Sequence, residues 1–248
     1  MIISALIKMK TGVPGVPQKK AEPAQLGFSF TSWGGARKGA GRKGRRTRPV
    51  PHGRRNKLNP RHPVHVTLHA RRDVPHLRSQ VCFAALRRAF RGGRDRFGMR
   101  LVHFSVQGNH VHLLVEADEG ARSLSRGMAG LGIRMARQLN RAVGRRGALF
   151  RERYHAQVIG NPRQVRHALR YVLLNSGIHA ARGREHSVAK PRGPATVDPC
   201  SSAACFDGWR NTPRVVEPWG PATELVAPAR TWLLSTGWKI WGLIAPSP

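Results

Sequence analysis

The stretch "MRLVHFSVQGNHVHLLVEA" constrains the chain more than any other. Two apolar, β-branched and aromatic runs flank Gly108 and Asn109, a dipeptide suited to a tight turn, so the segment reads as a β-hairpin. Side chains alternate faces along a strand. In the second strand His110, His112, Leu114 and Glu116 therefore share one face, and Val111, Leu113 and Val115 share the other. The aliphatic face belongs against helices. The two histidines then point the same way from the opposite face, a geometry that suits one metal ion. The plainer explanation is a pair of neutral core histidines, and a pattern as short as His-x-His does not decide between them.

The neighbouring segments supply the rest of a fold. In "HPVHVTLHA", Val64, Val66 and Leu68 alternate with His65, Thr67 and His69, the mark of a half-buried strand. "VPHLRSQVCFAALRRAFRGG" predicts a helix, with Leu77, Val81, Ala84, Ala85 and Arg88 at helical spacing and Gly92 and Gly93 as the stop. After the hairpin, "ARSLSRGMAGLGIRMARQLNRAV" predicts a long helix with an apolar stripe of Leu124, Met128, Leu131, Met135 and Leu139. "RYHAQVI" reads as a further strand. "NPRQVRHALRYVLLNSGIHA" reads as a helix opened by Asn161 as N-cap, Pro162 at its first position and Gln164 at the capping-box position. The order β-α-β-β-α-β-α predicts an α+β fold, a ferredoxin-like or RRM-like antiparallel sheet followed by one more helix. In that layout helices cover one face of the sheet and leave the other open. Residues 61–185 carry this pattern, residues 1–60 read as a disordered basic arm, and residues 186–248 as a partly irregular C-terminal extension. Four of the extension's tryptophans are Trp209, Trp232, Trp238 and Trp241. The extension either packs back on the domain or meets DNA.

Charge narrows the choice of partner. The 248 residues carry 44 Lys and Arg against 12 Asp and Glu, a formal net charge of +32. That much charge of one sign repels itself unless a polyanion neutralises it, and nucleic acid is the default polyanion. A membrane partner would need a strongly apolar helix face beside the basic residues, and no such helix stands out in the tails. "GGARKGAGRKGRRTRPVPHGRRNK" has ten basic residues and no acidic one, interrupted by Gly and Pro. It cannot bury enough apolar surface to offset its ordering entropy. Arg37, Lys38, Arg42, Lys43, Arg45 and Arg46 in this arm, with Arg134, Arg137 and Arg141 on one face of the long helix, are the candidate phosphate contacts. Cys82, Cys200 and Cys205 form no Cys-x-x-Cys pair, so neither a zinc ribbon nor a disulfide framework is expected. No signal peptide and no run of about 18 apolar residues is read, and the expectation is a cytoplasmic, nucleoid-associated bacterial protein.

The chain has two tyrosines, Tyr154 and Tyr171. Tyr171 lies mid-helix in "ALRYVLLN", with Asn175 four residues on and therefore on the same helix face. A phenol one turn from an amide oxygen combines a nucleophile with a metal ligand. Taken alone, it also fits an ordinary amphipathic helix.

"GNHVHLLVEA" followed by "ALRYVLLN" resembles the single-tyrosine HUH transposases of the insertion-sequence 200 type. The closer likeness is to their relatives, the REP-associated tyrosine transposases. "GGARKGAGRK", "VHFSVQGNH" and "RYHAQVI" also look like that group, and the likeness spans residues 34–180. The resemblance implies His110 and His112 as paired metal ligands, Asn175 as the third and Tyr171 as the nucleophile. It implies a divalent cofactor, Mg²⁺ or Mn²⁺, and a single-stranded or hairpin DNA substrate, REP-type palindromes among the candidates. Cleavage would pass through a 5′-phosphotyrosine link. Family members include monomers and homodimers. "LLNSGIHA" lacks the Asn-Pro pair common in many relatives.

Two other classes compete. A basic ferredoxin-like domain with an open sheet is also the RRM solution for single-stranded RNA, which stacks bases on strand aromatics. Phe104 is the only aromatic on the preceding strand, and no RNP-type signature is present. A two-metal carboxylate nuclease would need a cluster drawn from Asp73, Asp95, Glu116, Asp118, Glu119 and Glu152, and three of those crowd one strand end.

Overall fold

The computed structural model describes residues 58–182 and 195–246. Nearly all of the predicted N-terminal arm, including Arg37, Lys38, Arg42, Lys43, Arg45 and Arg46, lies outside the described residues. The elements run β1 (Val64–His69), α1 (Gln80–Gly93), β2 (Asp95–Arg96), β3 (Met99–Val106), β4 (His110–Ala117), α2 (Ala121–Ala142), β5 (His155–Val158) and α3 (Pro162–Arg182). A short helix α4 (Trp232–Ser235) and three 3-10 turns follow. The sheet is antiparallel, in the order β2-β3-β4-β1-β5. Apart from the two-residue β2, this is the predicted β-α-β-β-α-β arrangement, an α+β ferredoxin-like sheet followed by the tyrosine-bearing helix.

Local chemistry accounts for the main turns. The β3–β4 hairpin closes through Gly108 and Asn109, with Gln107 N–H donating to the His110 carbonyl at 2.8 Å. The β2–β3 turn puts Phe97 and Gly98 at φ of 60° and 71°, a pair of left-handed residues that matches the twist of a two-residue hairpin. Helix α3 opens as expected. Asn161 Oδ1 accepts from Gln164 N–H at 2.9 Å, and Gln164 Oε1 accepts in return from Gly160 N–H, one residue before the cap.

Alternation on the strands divides the apolar residues into two cores. Val64, Val66 and Leu68 of β1, with Val111, Leu113 and Val115 of β4, face α1 and α2. The predicted α2 stripe of Leu124, Met128, Leu131, Met135 and Leu139 is buried there in full. Of the expected α1 stripe, Leu77 and Ala85 are buried in the core, Ala84 is half-buried, and Val81 and Arg88 are not. Cys82, Phe83, Leu86, Ala89 and Phe90 turn inward, while Arg88 is exposed and Val81 is 52% exposed. The inward face takes in the two phenylalanines, which bury more area than Val81 would.

The second sheet face is not left open as the simple layout implies. Leu114 of β4 and Val102 of β3 join Val165, Leu169, Val172 and Leu173 of α3 in a second core, together with Phe206, Leu234, Trp238 and Ile244 of the C-terminal extension. The extension therefore packs back on the domain. It also occupies the outer edge of β3. Ala227 N–H donates to the Leu101 carbonyl, Ser202 N–H to the Phe104 carbonyl and Val106 N–H to the Cys200 carbonyl, all at 2.8–3.0 Å. An edge strand with unmet backbone groups is thereby covered. Buried ion pairs secure the arrangement. Arg78 binds Asp198 in a bidentate fork at 2.7 Å on each arm. Glu116, fully buried, accepts from Arg100 and from the backbone and hydroxyl of Thr231.

Candidate active site

Strand β4 carries His110 and His112 onto the sheet face covered by α3, and β1 supplies His65, Thr67 and His69 beside them. The register explains the crowding. His110 pairs with His69, and His112 pairs with Thr67 on one side and Ser105 on the other. Ring centroids of His110 and His112 are 4.7 Å apart, nearly perpendicular. His65 stacks on His112 at 5.2 Å, and His69 on His110 at 5.4 Å.

Helix α3 crosses this face and brings Tyr171 to the same point. Its ring meets His112 edge-on at 5.1 Å and His65 at 5.7 Å, and the side chain remains 41% exposed. Histidines 65, 69, 110, 112, 155 and 167 surround, with Tyr171, a cavity of about 620 Å³; Thr67, Gln157 and Gln164 add polar groups. Residues separated by 59 positions in the chain, His112 and Tyr171, thus share one site.

The hydrogen bonds orient the paired histidines. His112 Nδ1 lies 3.2 Å from both His65 Nε2 and Thr67 Oγ1. His110 Nδ1 lies 2.8 Å from Asn109 Oδ1, which can only accept. A proton on Nδ1 leaves a neutral His110 with its lone pair on Nε2, the arrangement seen when a second partner fixes a metal-binding imidazole. Burial, reinforced by the charge of His155, pushes the His65 pKa down to about 4, so this ring is neutral at pH 7.

Asn175 is placed differently. It lies on α3 one turn beyond Tyr171 and is fully buried, but it does not line the cavity. Neither its amide nitrogen nor its amide oxygen has a hydrogen-bond partner among the described residues. Leaving both ends of an amide unmet in the interior is costly, which makes an unfilled polar role there conspicuous. Among the described residues no three His, Cys, Asp or Glu side chains form a metal-holding group.

Tyr154 sits on the other side of the sheet, packed against the core beneath α1 and α2. Arg137 and Arg141 are exposed on α2 and Arg134 is partly buried, donating to the Gly130 carbonyl. All three belong to the helix layer on the face opposite the cavity. His65, His69, His155 and His167 were not singled out from the sequence. Two signals point to three of them in retrospect. His65 and His69 share strand parity on β1, and His167 precedes Tyr171 by one helical turn.

Residues 60–174 match the family described as "Transposase IS200 like". No curated protein matches the chain. Among solved structures, the chain is similar to a REP-associated tyrosine transposase bound to a REP hairpin. The two are 21% identical with a TM-score of 0.43, over 52% of this chain and 74% of that one. It is also similar to a Deinococcus radiodurans R1 protein described as a transposase, at 17% identity and a TM-score of 0.34, over 56% of this chain and 98% of that one. The paired histidines and Tyr171 all lie within the matched segment, residues 60–174, which is somewhat under half of the chain.

Proposed function

We propose that this protein is a transposase that cuts and rejoins single-stranded or hairpin DNA through covalent attachment to Tyr171. The observation that carries the reading is the meeting of Tyr171 with His110 and His112 at one cavity, with ring centroids of Tyr171 and His112 5.1 Å apart. Tyr171 Oη attacks the scissile phosphorus, and the bond to the 3′ oxygen breaks. The products are a 5′-phosphotyrosine and a free 3′-OH, and attack of a 3′-OH on that link restores the phosphodiester and the phenol without ATP.

A tyrosine hydroxyl has a pKa near 10, so only about one in a thousand is ionised at pH 7. His110, His112 and Asn175 are the residues that would hold a divalent ion, and the unmet Asn175 amide one turn from the phenol supports the assignment. Such an ion, when bound, polarises the scissile phosphate and stabilises charge on its oxygens. Imidazole and amide ligands suit Mn²⁺ better than Mg²⁺, which favours oxygen. His65 and Thr67 hold the His112 ring, and the edge-on packing of His65 and His112 holds the phenol over the site.

The competing classes lose support from the same geometry. Phe104, the aromatic an RRM-like module would present to bases, is fully buried on the helix side against Phe90. Glu116 and Asp118, central to any carboxylate cluster, are both paired with Arg100.

A labelled hairpin incubated with Mn²⁺ and run on a denaturing gel tests the reading. Wild type and Tyr154→Phe should each give a protein–DNA adduct, and Tyr171→Phe none. An adduct that persists in Tyr171→Phe removes the nucleophile assignment. Cutting without an adduct by any version points to a water-using nuclease.

A further inference from the structure

The C-terminal extension places an exposed indole beside the tyrosine-bearing helix. The 3-10 turn Gly237–Trp241 lies against α3 and is held firmly. Trp238 is its anchor, almost fully buried, with its indole N–H donating to the Leu234 carbonyl at 3.1 Å. Arg166 of α3 donates to the carbonyls of Gly242 at 2.9 Å and Leu243 at 3.2 Å. Trp241 lies between these two anchors yet is 54% exposed, and the Arg163 guanidinium sits 5.8 Å from its ring centroid. The ring is fixed in place while much of its surface faces solvent, where an aromatic of this size contributes little to stability.

Charge and position identify what the ring meets. Arg163, Arg166 and Arg170 recur at i, i+3 and i+7 on α3, and the first turn of the helix has no acidic residue. Cations at a helix N-terminus oppose the helix dipole, so Arg163 is unfavourably placed unless an anion joins it. Gln164, His167, Ala168 and Tyr171 line the cavity from the adjoining face of the same helix. The path from the phenol to Trp241 therefore goes around one helix, a distance on the order of its 10–12 Å diameter. An aromatic face with arginines beside it is the arrangement that holds a single strand, with the ring stacking on a base and the guanidinium groups meeting phosphates.

We infer that Trp241, with the Arg163 guanidinium beside its ring and its turn held in place through Arg166, is a stacking platform for an unpaired base in the strand that flanks the cleavage point. The inference rests on the single-strand cleavage reading above and adds a recognition element outside the catalytic cavity. Its occupant is single-stranded DNA beside the hairpin, not the hairpin duplex.

The test measures affinity of the full chain for two probes, a blunt hairpin and the same hairpin with single-stranded tails on both ends. Trp241→Ala should weaken binding of the tailed hairpin by roughly 5- to 150-fold, the range for loss of one base–aromatic stack. Binding of the blunt hairpin should be unchanged, and Trp241→Phe should retain most of the tailed affinity. Unchanged tailed binding in Trp241→Ala overturns the platform and gives the exposed ring to some other partner. Equal weakening of both probes, without rescue by Phe, overturns it in favour of a role in packing α3. A wild-type chain that binds neither probe overturns the single-strand reading itself, and the platform with it.

Discussion

Asn175 shows how much one side chain can reveal. Its amide is fully buried and unmet among the described residues, one helical turn from the phenol. A buried amide without partners costs on the order of 1–3 kcal/mol, and an apolar side chain of similar shape removes that cost. Asn175→Leu should therefore equal or exceed wild type in metal-free thermal stability. Added Mn²⁺ should raise the melting temperature of wild type and leave that of Asn175→Leu unmoved, since ligands that bind only the native state stabilise by mass action. A metal-free variant that melts well below wild type would mean the amide has a partner and a structural role. An equal Mn²⁺ response in both would take Asn175 out of the ligand set.

At the scale of elements, β3 links the sheet to the C-terminal extension, and His103 sits at that seam. A register shift between Leu101 and His103 separates it from the regular ladder. His103 Nδ1 lies 3.1 Å from Ser202 Oγ, and Phe206 packs edge-on at 5.5 Å. Burial pushes its pKa down to about 4, against a weaker upward pull from Asp207. The unfolded chain binds this proton near pH 6.5 and the native one does not, so stability is intact above about 6.5 and declines as pH falls towards 4. The full shift is worth at most about 3 kcal/mol. Urea midpoints at pH 7 and pH 4.5 should therefore drop more in wild type than in His103→Gln. Equal drops would assign the acid sensitivity elsewhere, with His65, also held near 4, the next group to test.

For the whole molecule the governing quantity is charge. A formal +32 makes binding to DNA strongly dependent on salt. Each phosphate contacted on a single strand should add about −0.7 to the slope of log K against log salt. Titration from low to high salt should give a steep negative slope, and deletion of residues 34–57 should make it shallower. A flat wild-type response would remove electrostatics as the basis of binding, and an unchanged slope after the deletion would show that the arm makes no phosphate contacts. Arg134, Arg137 and Arg141 lie on the helix layer and the cavity on the opposite sheet face. DNA that engages both must pass around the edge of the sheet, so charge reversal on α2 should lower affinity without altering the yield of adduct at saturating DNA.

What could be read from the chain alone was whatever short-range patterning encodes. Alternation in "HVHLLVEA" set His110 and His112 on the face away from α1 and α2, because side-chain direction along a strand follows parity. The caps of α3, the α2 stripe and the order of strands and helices along the chain were legible for the same local reasons. The nucleophile and ligand assignments came from family likeness rather than from patterning. Tertiary structure decided what depends on contacts between distant segments. The histidine count around the cavity follows from pairing β1 with β4, which sets His65 and His69 beside His110 and His112. Phe83 and Phe90 joined Ala85 on the inward face of α1, a choice made by packing against the sheet and α2. The extension, irregular and rich in Pro and Gly, carries no period to read. Its place over α3 and along the β3 edge is fixed by buried partners 100 or more residues away, Asp198 on Arg78 and Thr231 on Glu116.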